Sequence, residues 1–144
     1  MTENGPAPVD ADVDLLPVLG AISAGGVLGA LARYGVATAW PHPASGFPWS
    51  TFVVNVTGCL LIGVLMVIVT DVLPHRRLVR PFLGVGVLGG YTTFSTYIVD
   101  IHKAASAGAP GVALAYLAAT LIAAVLAVGA GSSVTSLFVR RRAR

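Results

Sequence analysis

Hydrophobic and polar positions divide this chain into four long apolar stretches joined by short polar connections. The stretches cover residues 17–40, 50–70, 81–101 and 111–139, and the connections read PHPASGFP, DVLPHRR and HKAASAGAP. At 1.5 Å of rise per residue, a helix of about 20 residues crosses the roughly 30 Å hydrocarbon core of a bilayer. Each stretch is that long, so the pattern predicts an all-α integral membrane protein with four transmembrane helices. A soluble helical core would not show four such spans in succession. Trp40 and Trp49 flank the first connection, where amphipathic rings anchor helix ends at the interface. Residues 1–16 are expected to form a disordered acidic N-terminal tail, 17–139 the single four-helix domain, and 140–144 a basic C-terminal tail. The opening MTENGPAPVDADVD lacks the basic start and apolar middle of a signal peptide.

The third stretch carries an interruption, Gly89-Gly90-Tyr91-Thr92-Thr93-Phe94-Ser95-Thr96-Tyr97. Paired glycines and four serine or threonine hydroxyls are unusual in a spanning helix. They predict a third helix broken near the midplane at the glycines. A freed N–H or C=O in hydrocarbon costs several kcal/mol, so a break persists only inside protein or along a wet path. Broken half-helices in transporters aim their dipole ends at bound ions. The segment therefore reads as an ion site. Carbonyls exposed by an opening at Gly89 and Gly90 would suit a small hard cation.

The same nonapeptide resembles the GGxTTFSTF signature of the Fluc/CrcB fluoride channels. Gly25-Gly26-Val27-Leu28-Gly29-Ala30-Leu31-Ala32-Arg33-Tyr34 resembles that family's GGxxGAxxRY, and Phe52-Val53-Val54-Asn55-Val56-Thr57-Gly58 its FxxNxxG. The three motifs stand in the family's order, and the resemblance covers roughly residues 18–138. It implies an antiparallel dimer with two pores and a structural, non-transported Na⁺ held by the backbone carbonyls of Gly89 and Thr92 from each subunit. It also implies a fluoride path lined by Asn55, Phe94, Ser95, Thr96, Tyr97, Tyr116 and Thr120. Two departures stand out. Tyr97 replaces a second phenylalanine, and Ala124 shortens the hydroxyl row that Tyr116 and Thr120 begin.

Read by their own chemistry, these residues are compatible with that implication. Phe94 and Tyr97 are three apart and share a helical face. A ring edge carries positive quadrupole and can approach an anion without gripping it as an arginine would. Asn55 must find partners when buried, either across helices or as a pore donor. Arg33 is expensive in a span, and either snorkels to the interface or draws anions to a vestibule. Ala21, Gly25 and Gly29 form a smooth stripe for close helix packing, and Gly58 and Gly63 fit the same use. Cys59 reads as an inert small apolar residue.

Composition narrows the alternatives. Hydrophobic residues make up 56% of the chain and charged residues 10%, against about 25% charged in globular domains. Mean hydropathy is +0.84 and the pI is near 9.5. The basic residues sit beside apolar spans, which excludes a nucleic-acid binder. One cysteine forms no intrachain disulfide, and His42, His75 and His102 fall in separate connections without metal-ligand spacing. The chain does not read as an enzyme.

The expected function is a fluoride-selective channel subunit in the cell membrane that lowers cytoplasmic fluoride by passive efflux. A potential of 100 mV is worth about 2.3 kcal/mol per charge. At about 1.4 kcal/mol per tenfold, that holds internal fluoride roughly fifty-fold below external. A coupled exporter of the small multidrug resistance type needs an embedded carboxylate, and here Glu3 lies in the tail and Asp100 at the end of the third span. A non-conducting structural subunit is the other alternative. Arg76, Arg77, Arg80, Arg140, Arg141, Arg142 and Arg144 lie on one side, with only Lys103 and Arg33 for the other. Lysines and arginines near span ends set orientation, which places both termini in the cytoplasm. So strong a bias favours an obligate heterodimer with an oppositely oriented paralogue over a homodimer that inserts both ways.

Overall fold

A computed structural model describes residues 15–73 and 75–142, and every element among them is helical. Helix α1 is Leu15–Ala39. Helix α2 is Trp49–Val67, continued by a wider π-helical turn, Ile68–Val72. Helix α3 joins a π-helical stretch, Arg80–Leu88, to one α-helical turn, Gly89–Tyr91. Helix α4 is Phe94–Ser106 and α5 is Pro110–Arg142. Four spans, Leu15–Ala39, Trp49–Val72, Arg80–Ser106 and Pro110–Arg141, are long and apolar enough to cross a membrane.

Local chemistry sets most boundaries. Pro48 stands just before α2, and Pro110 opens α5, where its missing N–H and fixed φ cost nothing. Helix α4 ends at Gly108, whose φ of +79° is easy only without a Cβ. There the Ala109 N–H donates to the Ala104 carbonyl (3.0 Å) and the Gly108 N–H to the Ala105 carbonyl (3.2 Å). This paired closure satisfies last-turn carbonyls that have no intrahelical donor. Helix α1 starts at Leu15, two residues before the expected boundary, and α5 runs past residue 139 to Arg142. The expected tails therefore fall largely on residues 1–14 and 143–144, which lie outside the described residues.

Two packing systems make up the bundle. Helix α1 lies on α3, and it does so backbone to backbone. A Cβ on Gly86 would sit 2.8 Å from the Ile22 carbonyl oxygen, and one on Gly90 would collide with the backbone of Gly26. Gly25 and Gly29 are the buried positions of α1, as the small-residue stripe predicts. On the other side, α2 and α4 pack against α5. Their shared interior holds Val54, Tyr97, Ala104, Ala113 and Tyr116, and beside them the polar Ser50, Thr51, Asp100 and Thr120. Outward faces carry large apolar side chains such as Leu114, Val125, Leu126 and Phe138, suited to lipid contact.

The third span departs from helical geometry at a different place than the glycines suggested. Gly89 and Gly90 are helical; Thr92 (ψ 158°) and Thr93 (φ −149°, ψ 122°) are extended. Gly90 serves close approach to α1 instead. The opening three residues later is held by groups from another helix.

Candidate functional site

Asn55, in the middle of α2, is that holding group. Its Nδ2 donates to the Thr93 carbonyl and its Oδ1 accepts from the Thr93 N–H, both at 2.9 Å. In a continuous helix the Thr93 N–H would serve the carbonyl of Gly89, four residues back. Asn55 takes that donor and leaves the Gly89 carbonyl without its helical partner. Thr93 then starts the next helix. Its Oγ1 accepts from the Thr96 N–H (3.1 Å) and donates to Thr96 Oγ1 (3.0 Å), with Ser95 Oγ 3.3 Å away. A threonine at this position satisfies an orphan donor of the first turn. The positive end of the α4 dipole opens toward the same place.

Arg33 reaches across from α1 to α3. Its Nε donates to the Gly90 carbonyl (3.1 Å), so the guanidinium braces the α3 end of the interruption. Thr92 Oγ1 donates back to the Leu88 carbonyl (2.9 Å), and Thr57 Oγ1 lies 3.0 Å from the Tyr91 hydroxyl. Asn55 and Arg33 thus partner the Thr93 and Gly90 backbone groups at the interruption.

A groove of about 370 Å³ runs beside the interruption, lined among others by Asn55, Thr92, Thr93, Phe94, Tyr97 and Thr120. Gly89 and Ala124 also border it. Gly58 forms part of its floor, and a Cβ there would collide with the methyl of Thr92. A small second cavity on the other side of Thr93 holds Arg33, Thr51 and Thr96. Ser95 lines neither cavity.

The two aromatic candidates differ sharply. Their ring centroids are 5.9 Å apart, yet Phe94 is 72% exposed and Tyr97 only 4%. The Tyr97 hydroxyl donates to the Leu117 carbonyl (2.8 Å), and its ring meets Tyr116 edge-on at 5.2 Å. Phe94 stands out from the single chain, while Tyr97 is locked into the α4–α5 wall through its hydroxyl.

Below Tyr97, the hydroxyls of Tyr116 and Thr120 are buried and have no hydrogen-bond partner. The Tyr116 hydroxyl faces those of Thr51 and Thr120, but neither is in hydrogen-bonding geometry. A buried unsatisfied hydroxyl costs about 1–3 kcal/mol, so two adjacent ones are conspicuous in this interior.

Sequence reasoning overlooked the carboxylate beside them. Asp100, placed at the end of the third span and set aside, is 5% exposed. Its Oδ2 accepts from Thr51 Oγ1 at 2.7 Å. The available signal was the residue itself, because an ionisable side chain within a span is a functional candidate by default.

Comparison with known proteins supplies the family. Residues 20–132 match the family described as CrcB-like protein, Camphor Resistance (CrcB). A Streptomyces avermitilis protein named fluoride-specific ion channel FluC 2 is 62% identical over 73% of this chain and 66% of its own length. A Streptomyces coelicolor relative, fluoride-specific ion channel FluC 1, is 56% identical over 78% of this chain and 73% of its own length. A second Streptomyces avermitilis relative, fluoride-specific ion channel FluC 3, is 42% identical over 88% of this chain and 62% of its own length. With four membrane-length helices and a family match over most of its residues, the chain is a multi-pass membrane protein that belongs to the CrcB family.

Proposed function

We propose that the chain is one subunit of a fluoride-selective channel that gives passive fluoride efflux. The observation that carries this reading is the pair of buried, unpartnered hydroxyls of Tyr116 and Thr120, the latter at the wall of the groove beside the interrupted third span. Fluoride holds its water tightly, and passage requires neutral donors that replace that shell without binding too strongly. Unsatisfied hydroxyls, the remaining N–H of Asn55 and the ring edge of Phe94 are donors of that kind. The names of the relatives supply the ion. Burial of Asp100 would suit a coupled exporter, but membership of a family whose relatives are named as channels weighs against that alternative. The Tyr97 hydroxyl, tied into the wall, leaves the groove open, which weighs against a decayed, non-conducting subunit.

One chain presents half of such a pore. Phe94 and Gly89 face outward from it, and an antiparallel partner would complete both the pore and a third span opened near the bilayer midplane. The residues fit a structural Na⁺ at that junction. The Gly89 carbonyl has lost its helical donor, and Thr92 is extended, so two carbonyl oxygens per subunit are free of the helix. Carbonyls of Gly89 and Thr92 would hold the ion, and its chemistry would be to neutralise oxygens that otherwise repel one another across the dimer. With both termini cytoplasmic by charge, the inverted partner is a paralogue. Two differently numbered relatives from one Streptomyces strain support that arrangement.

The test is fluoride efflux from liposomes, with this chain alone and with a paralogue of opposite charge bias. Phe94→Ile keeps bulk but removes the ring edge. It is expected to abolish most of the flux while the protein still assembles; unchanged flux would remove Phe94 from the path. Replacing Na⁺ with a large organic cation is expected to lower both flux and thermal stability. Indifference to that exchange would remove the Na⁺ assignment. Robust channels from this chain alone, with C-termini on both sides, would falsify the heterodimer.

A further inference from the structure

His42 lies in the connection between α1 and α2, outside the spans. Its Nε2 is 4.0 Å from Asp100 Oδ1, and the two side chains are 23% and 4% exposed. The imidazole therefore stands between solvent and a buried carboxylate. Asp100 in turn sits at the head of a short polar column. Thr51 Oγ1 donates to its other oxygen, and Tyr116, with its unpartnered hydroxyl, packs beneath. Thr120, also unpartnered, continues the column down to the wall of the groove. Thr51 also borders the small cavity that contains Arg33.

We propose that His42 is a proton-sensitive lid on the outer end of the ion path, through its charge opposite Asp100. This rests on reading the chain as a fluoride channel. A bare buried carboxylate repels an approaching anion, and at a few ångströms in a partly desolvated site that repulsion is strong. An imidazolium 4.0 Å away offsets most of it; a neutral imidazole does not. Histidine is the side chain that changes charge in the physiological range. The other groups facing the pair cannot make the exchange. Thr51 of α2 does not titrate, and the phenols of Tyr97 of α4 and Tyr116 of α5 carry no charge where histidine changes its own. Arg33 of α1 is committed to the Gly90 carbonyl, and His102 and Lys103 of α4 are exposed. Acid on the outer face thus opens the path, and alkali restores the repulsion. The device belongs to this loop sequence, with histidine between Pro41 and Pro43, where the two rings limit how far the imidazole can swing.

The experiment is fluoride efflux from liposomes holding the conducting assembly, with the same pH on both faces. Rates of protein-free liposomes are subtracted to remove permeation of HF. Wild-type flux is expected to fall about tenfold between about pH 5 and about pH 8. His42→Gln is expected to be slow and flat across that range, and His42→Arg fast and flat. A purely structural role for His42 would make the two variants alike. If both behave alike, or if His42→Gln keeps the wild-type pH profile, the lid is overturned. A flat wild-type profile overturns it too, in each case leaving the channel reading intact. Absence of fluoride flux at every pH overturns the channel reading, and the lid with it.

Discussion

The two halves of the third span are held by opposite means. Helix α3 is fixed by absence: Gly86 and Gly90 bring its backbone onto α1, and Arg33 to the Gly90 carbonyl is the one side-chain hydrogen bond across that contact. Helix α4 is fixed by specific polar bonds, Asn55 to Thr93, Thr51 to Asp100 and Tyr97 to the Leu117 carbonyl. Lipid gives helices no hydrophobic reason to associate, so close approach and hydrogen bonding are the two available devices. One span uses each on either side of Thr92 and Thr93. The difference separates a scaffold that tolerates no added atom from a working half whose groups can be changed one at a time.

Gly29→Leu attacks the scaffold and should have the largest effect. A Cβ at Gly29 already collides with the Val87 carbonyl and lies 2.7 Å from the Tyr91 nitrogen. Backbone cannot yield as a side chain can, so the expected loss is about 3 kcal/mol or more. It would be read as failure to recover monodisperse protein in detergent. Normal recovery would mean that α1 and α3 do not depend on close approach.

Asn55→Leu comes next. It strands both the N–H and the C=O of Thr93, at a combined cost of roughly 2–4 kcal/mol in thermal denaturation. Asn55→Asp keeps the acceptor for the Thr93 N–H but not the donor, and should fall between. Equal losses for the two variants would show that the bond accepted from the Thr93 N–H carries nothing.

Tyr97→Phe should be the mildest. It removes one bond to the Leu117 carbonyl and leaves the ring packed on Tyr116, for about 1 kcal/mol. A loss as large as that of Asn55→Leu would put Tyr97, not Asn55, at the centre of the working half.

The four spans were legible because hydropathy over 20 residues is a strong, local signal. The helix was expected to open at the glycines, whereas Gly89 and Gly90 are helical and the extended angles fall at Thr92 and Thr93. Paired glycines were taken as the hinge, although a missing Cβ serves helix contact as readily as backbone freedom. Only the partner decides, and the partner of Gly90 is Gly26, 64 positions earlier. Phe94 and Tyr97 share a face at helical spacing and differ in sequence only by a hydroxyl, yet α5 buries one and leaves the other exposed. Asp100 was discounted because its place along the span suggested an interfacial residue. Its burial depends on Thr51 and His42, which no local pattern connects to it.

The bidentate clamp of Asn55 on Thr93 also constrains the order in which this protein can be made. While the third span enters the bilayer without α2 beside it, nothing can satisfy the Thr93 backbone groups, each costing several kcal/mol in hydrocarbon. A continuous helix satisfies them internally, so the span inserts unbroken. The opening forms only once α2 has docked and the Thr93 N–H passes from the Gly89 carbonyl to Asn55. The interruption is thus a product of assembly, and α2 acts as its template during biogenesis.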